Sequence, residues 1–523
     1  MKEEMLFARR ASGLVRAFSA FDALNLNISM CSPPQGVLWA WTWGASMFMS
    51  VHLGLSYFLG IFAVGLGAAT VYAIWTLALP RSGGDYVWFS RAVHPAFGFA
   101  INWFLTFVFL NWFAMNSQTL GPFFLAPILL SLGMSNAADF ASSLIGSVII
   151  GTVYNILIAL LLLFGSTTYV KFYRVIFGAS LAGSVIYMAL LLGTPHEAFV
   201  TAFNKAVTGI DYQGVIETAK SFGWIPGWTL TATLFGLVFP FQNYSWAGFP
   251  AYVGGEIRKV EKAAWIGMIG GLLAMGAWYV ALGETIYHTA GFNFHSALTW
   301  LWVTHSEAYP LKFPPYPQNY ALILTSNTAI LLAISIGWFL SAVYLNPPNL
   351  LLATRNVFAW SFDRILPTRL SKVSARFRAP VYTILACAIV GELLTIFVAY
   401  TTYAVMIVNT FMVMEAVLFM VAIASLLFPY KKKEMFEKFP EGAKKKVLGI
   451  PLLSISGAIM AVFSAFMVYA AYSAPALGGL DPISFAFNIA MLLIAVPIFG
   501  ISYVYNKRKG INLSLLFKEI PPE

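Results

Sequence analysis

Apolar stretches of 20 or more residues recur along most of this 523-residue chain, and they restrict the solvent it can fold in. Only 10% of its residues are charged, against roughly 25% in an ordinary soluble domain. Such a chain cannot cover a water-facing surface, but it can cover a lipid-facing one. In hydrocarbon every backbone N–H and C=O must be satisfied internally, which leaves helices or closed barrels. Barrel strands are alternating segments of about 10 residues; these runs are longer and do not alternate. The sequence therefore predicts an all-α integral membrane protein.

Apolar runs of about 20 residues between charged or turn-rich breaks predict twelve spans, near 17–45, 54–79, 95–129, 143–164, 172–192, 228–253, 263–287, 320–353, 381–399, 404–428, 447–473 and 483–505. Val381 to Tyr430 contains no Lys or Arg and as one helix would be about 75 Å long, so it must turn back, at Tyr400-Thr401-Thr402-Tyr403. An even count puts both termini on one side. That side holds 28 of the 31 Lys and Arg residues; the other holds only Lys205, Lys220 and Lys312. No cation then lies within a span, and the positive-inside rule predicts cytoplasmic termini in a cytoplasmic (inner or plasma) membrane. The net charge of +10 is thus a topology signal, with no nucleic-acid partner expected. Met1 to Arg10 is polar, so no cleavable leader is expected. Cys31 and Cys387 lie in apolar surroundings and imply neither a disulfide framework nor a metal cluster.

Two spans are expected to be broken. The first contains Ser29-Met30-Cys31-Ser32-Pro33-Pro34-Gln35-Gly36, the sixth the stretch from Pro240 to Pro250. Proline removes a helical hydrogen bond and clashes with the preceding turn. Interrupted helices at matching places in two five-helix halves point to a transporter site at the bilayer midplane. The expected organisation is one transmembrane domain: a cytoplasmic segment 1–16, five-helix repeats 17–192 and 228–428 of inverted topology, two further helices over 447–505, and a tail 506–523.

Enzyme chemistry finds no support. His196-Glu197 is not followed by the second histidine of a zinc-protease motif. His288, His295 and His305 share one loop without ligand spacing. Gly65-Leu66-Gly67 and Gly267-x-x-x-Gly271 read as helix-packing surfaces.

Three segments resemble the amino acid–polyamine–organocation superfamily of permeases. Pro80-Arg81-Ser82-Gly83-Gly84-Asp85-Tyr86 resembles its P-x-S-G-G-x-Y loop. Gly255-Glu256-Ile257-Arg258-Lys259 resembles G-E-[VI]-K-N-P, and Arg355 to Pro367 resembles S-R-x-x-x-A-x-A-R-D-G-x-L-P. All three fall on the predicted cytoplasmic side, where they read as solvated loops whose basic residues pair with lipid or with Asp85, Glu256 and Asp363. The family's Gly-Ser-Gly in the first break is Pro33-Pro34-Gln35 here, and its proline after the glutamate is Val260.

The resemblance implies alternating-access transport of an amino acid, with a polyamine, nucleobase or other organic cation, or a non-transporting sensor, as alternatives. A zwitterion needs donors for its carboxylate and acceptors for its ammonium, and a broken helix offers both. Cys31, Ser32, Gln35 and Gly36 are the expected carboxylate side. Phe241, Gln242, Asn243, Tyr244, Ser245 and Trp246 are the expected ammonium side, with Tyr244 and Trp246 closing over the substrate. No cofactor is expected. Related transporters place a coupling sodium between spans 1 and 8, where Ser341 and Asn346 are candidates, although Asn346-Pro347-Pro348-Asn349 also reads as a helix end. Some proton-coupled relatives carry a lysine inside span 5; here Lys171 and Arg174 stand only at its start. Sodium, protons and exchange all stay open. Of three acids inside spans, Asp22 reads as a gate or proton group or as a helix-start acid. Glu392 and Glu415 read as structural or oligomer-face residues, away from the site.

Overall fold

The computed structural model describes residues 13–473 and 481–518; Lys2, Arg9, Arg10 and the tail beyond Lys518 lie outside the described residues. The chain is an all-α membrane protein. Among the described residues ten helices are long and apolar enough to cross a bilayer. Two further crossings, spans 1 and 6, are interrupted and too short in each piece to be counted with them.

Span 1 consists of Ala20–Ser29 (1a) and Pro33–Met47 (1b), joined by an irregular turn over Met30 to Ser32. Ser19 and Asp22 form a capping box that starts 1a. Ser32 has φ +29°, outside helical space, and Pro33 and Pro34 occupy the first positions of 1b, where their missing N–H groups cost nothing. Span 6 starts as Leu230–Phe235, continues as Val238–Tyr244 and then tightens into a 3-10 helix, Ser245–Tyr252. The span is interrupted as expected, just before Pro240 and again between Pro240 and Pro250. Pro240 has no N–H for the Gly236 carbonyl four residues back; the α-helix is interrupted there, at Gly236-Leu237, and gives way to the 3-10 helix after Tyr244.

Span 8 corrects the sequence reading twice. It begins at Thr328, eight residues later than expected, because Asn327 caps it by accepting from Ala329 and Ile330 N–H at 3.0 and 3.3 Å. Nor does it end at Asn346-Pro347-Pro348-Asn349. The two prolines start a further helical stretch, Pro347–Phe362, continuous with the first. Arg355 therefore stands inside a helix, 2% exposed, rather than in a loop, so the expectation of cation-free helices fails there. Span 9, Val381–Tyr400, and span 10, Tyr403–Lys431, meet at the predicted turn.

Outward faces are apolar, as a lipid solvent requires: Ile145, Ile149, Val153 and Leu157 form an exposed stripe on span 4 at four-residue spacing. Inward faces pack through small residues. Gly183 of span 5 and Gly337 of span 8 bring two backbones together, a Cβ on Gly183 falling 2.5 Å from Gly337 Cα. A π-helical segment, Trp265–Gly270, interrupts span 7. It leaves the Gly267 and Met268 carbonyls to accept from Asn27 Nδ2 of 1a at 2.8 and 3.0 Å.

Candidate functional site

A cavity of about 290 Å³ lies between the breaks of spans 1 and 6. That is near the lower end of the roughly 300–1,000 Å³ usual for ligand sites. Apolar walls come from Met30, Trp39, Trp43, Phe239, Trp246 and Met467; Gln35, Asn116, Gln242, Asn243 and Asn349 supply polar groups. Among the described residues no Asp, Glu, Lys, Arg or His lines it.

The structure divides the sequence-predicted residues. Cys31, Gln35, Gly36, Gln242, Asn243 and Trp246 line the cavity. Cys31 Sγ meets the Asn243 carbonyl, which joins the two breaks directly. Asn243 Nδ2 donates to Tyr57 Oη at 2.5 Å, and Gln35 Nε2 to Asn116 Oδ1 at 3.2 Å. Pro33 and Pro34 have no N–H and Gly36 N–H bonds Ser32 O at 3.1 Å, so Gln35 supplies the one amide that the first turn of 1b can turn on an anion. Gly36 has a second role. Tyr279 Oη reaches Cys31 O at 2.6 Å across it, and a Cβ there would stand 1.9 Å from that hydroxyl. Ser32, Phe241, Tyr244 and Ser245 lie outside the cavity lining. Ser32 Oγ donates to Ser341 O of span 8 at 2.9 Å, Phe241 packs on Phe463, and Tyr244 is wedged between Tyr57 and Tyr279.

Ser341 thus faces the first break. Asn346 does not: its Nδ2 turns to span 3, donating to Ser117 Oγ at 2.8 Å and Phe113 O at 3.1 Å. Asp22 lies away from the cavity and combines its capping role with a two-point bond to Arg174 of span 5, at 2.8 and 2.9 Å. Glu392 bridges span 9 to Thr152 and Asn155 of span 4. Glu415, expected away from the site, is fully buried and accepts from Ser245 Oγ of span 6 at 2.9 Å.

The sequence reading missed the far wall. Gly36, Trp39, Ala40, Trp43 and Met47 recur at three- and four-residue spacing, so one face of 1b lines the cavity from the break upward. Trp39 and Trp43 stack at 4.7 Å, and Trp43 meets Trp302 at 5.5 Å, making an aromatic roof. Beside it, His295 binds Trp41 O at 3.0 Å and Tyr320 Oη at 2.6 Å. Burial lowers this imidazole to about 4, so it is neutral.

The end of the molecule that carries the chain termini is closed by buried charge. Arg355 donates Nε to Glu256 Oε1 at 2.6 Å and Nη2 to Oε2 at 3.0 Å, and Ser166 Oγ bonds the same carboxylate. Arg91 pairs with Asp363 at 2.6 Å, with Tyr86 Oη adding a bond at 2.7 Å. Asp85 accepts from Asn102 at 2.6 Å, Tyr252 at 2.6 Å and Tyr72 at 3.2 Å. All three carboxylates are buried. These motifs are therefore not the solvated loops expected of them: they join spans 1, 2, 3, 5, 6 and 8 in one plug, with Phe18 N–H bonding Glu256 O at 3.0 Å and Gly83 N–H bonding Tyr252 O at 3.0 Å.

A family model for amino acid permeases matches residues 44–497, most of the chain, beginning after the break in span 1. The chain belongs to the amino acid permease family. The branched-chain amino acid permease BcaP of Lactococcus lactis subsp. cremoris is 25% identical to this permease over 351 residues. The match covers 64% of this chain and 65% of that protein's length.

Proposed function

We propose that this permease is a secondary transporter that carries neutral amino acids with apolar side chains by alternating access, in a cytoplasmic membrane with both termini inside. The observation that carries this reading is the uncharged cavity between two helix breaks, above an end sealed by buried ion pairs. A zwitterion has no net charge to neutralise. The positive end of 1b, through Gln35 N–H, meets the carboxylate; the carbonyls left over where 1a and the span 6 α-helix end meet the ammonium. The tryptophan and methionine walls suit an aliphatic side chain, and the name of the lactococcal relative supports leucine, isoleucine and valine as first substrates. Release to the inside requires the Arg355–Glu256 and Arg91–Asp363 pairs to part and hydrate.

The test is counterflow in proteoliposomes: unlabelled leucine inside, labelled leucine outside. Transient accumulation of label is expected, competed by isoleucine and valine and not by spermidine, because no carboxylate lines the cavity to hold a polyamine. Binding of leucine with no counterflow would make the protein a sensor, and competition by spermidine would shift it to organic cations.

A further inference from the structure

Glu415 of span 10 is buried, 2% exposed, with two hydroxyl donors and no cation. Ser245 Oγ of span 6 donates to Oε1 at 2.9 Å and Ser464 Oγ of span 11 to Oε2 at 3.1 Å. Each of the three residues lies next to the cavity floor. Met412 precedes Glu415 by three positions, Met467 follows Ser464 by three, and Gln242 and Trp246 flank Ser245; all four line the cavity. On spans 10 and 11 the step from lining residue to the carboxyl and its donor runs toward the end where the described chain begins, while on span 6 lining residues stand on both sides of Ser245. Along span 10 the carboxyl group is thus three residues, about 4.5 Å of helix rise, past the lining residue Met412 on the route inward.

Among the described residues, the helices around Glu415 bring no cation to hold a permanent negative charge. The segments of spans 3 and 11 packed against span 10 contain no charged residue, and neither does Pro482–Leu493 of span 12. Span 6 offers only tyrosines, Tyr244 and Tyr252. On span 9, Glu392 is engaged by span 4. On span 2, Tyr72 gives its hydroxyl to Asp85. An ionised carboxylate without a cation in hydrocarbon is costly, and a neutral acid is not.

We propose that Glu415 is the proton site of this permease: its carboxylate takes up one proton from the side to which the cavity is open and releases it on the cytoplasmic side with the substrate. The proposal rests on the transport reading above and names its coupling ion. One O–H bond forms at Oε1 or Oε2 and the side chain goes from −1 to 0; nothing else is consumed. Ionised, the group accepts from both serines. Protonated, one of its oxygens becomes a donor, and the Ser245 hydroxyl must turn or let go. Ser245 is the first residue of the 3-10 stretch, and its N–H still bonds Phe241 O. Proton occupancy is thereby read at the point where span 6 changes its helical form, the differential contact that a population shift requires.

The experiment compares wild type with Glu415→Gln in sodium-free proteoliposomes, using leucine. Wild type is expected to accumulate leucine when the outside is made acid. Glu415→Gln is expected to retain counterflow, which needs no net proton movement and shows that the variant is folded, and to lose at least about fivefold of acid-driven accumulation. Ser245→Ala, which keeps the carboxyl and removes one donor to its ionised form, is expected to move the pH profile of uptake to higher pH. Undiminished acid-driven accumulation by Glu415→Gln overturns the proposal, as does wild-type accumulation that follows a sodium gradient and ignores pH. Absence of counterflow in wild type would overturn the transport reading itself, a different and recognisable result.

Discussion

Asp85 stands, fully buried, at the first position of the Asp85–Ala92 helix. Burial raises its carboxyl from 3.8 to about 6, and bonds from Tyr252, Asn102 and Tyr72 only partly offset this. The folded state thus holds the proton more tightly than the unfolded chain does. The sign follows: the cost of ionising Asp85 is present in full above pH 6 and is relieved as pH falls below it. One pH unit below the midpoint corresponds to about 1.4 kcal/mol, so wild type should gain about 1 kcal/mol over Asp85→Asn between pH 7 and pH 5. Thermal melting of the two purified proteins across that range checks this; parallel pH curves would contradict it. Asp85, Glu256 and Asp363 were legible in the sequence as acids with basic neighbours, but not as buried ones. Hydropathy treats a charge as a loop signal, and the partner that buries Glu256 is Arg355, 99 positions away. Glu415 was legible as an acid inside a span but was placed away from the site, since its donor Ser245 is 170 positions off.

Among the elements, span 5 against span 8 shows most plainly how the helices are held. Gly183 and Gly337 let the two backbones touch, whereas Gly178, on the same helix, has open space around it. Gly183→Val should cost about 1–3 kcal/mol by overpacking, seen as a lowered melting temperature, while Gly178→Val should be neutral. Equal effects from both would mean that glycine flexibility rather than close approach is at stake. Element count and the turn between spans 9 and 10 were readable because lipid imposes a length on every crossing. The break in span 1 was readable from Pro33 and Pro34. Its counterpart in span 6 was readable from the stretch Pro240 to Pro250, within which the α-helix gives way to a 3-10 helix at Ser245. Span 8 was expected to stop at residue 353 and runs on to Phe362, because Pro347 and Pro348 begin a further helical segment instead of ending one. A proline pair signals a change of hydrogen bonding, and its sense depends on whether a helix follows.

For the molecule as a whole, the two ends differ in kind. The end that carries the termini is closed by ion pairs and tyrosine hydroxyls; the other is roofed by the aromatic rings of Trp39, Trp43 and Trp302. Removing one member of a buried pair strands the other charge, at a cost of about 3–5 kcal/mol, so damage to Glu256–Arg355 should favour the state in which that end is hydrated. Cys31 reports on this without added labels, because it lines the cavity at the first break. The most direct measurement is alkylation of Cys31 by a membrane-impermeant thiol reagent, applied to either face of oriented proteoliposomes in a Cys387→Ala background. Wild type should react from the outer face and be protected by leucine, and Glu256→Gln should gain reaction from the cytoplasmic face. Labelling that ignores leucine and stays on one face whatever happens to Glu256 would contradict a substrate cavity that opens alternately to each side.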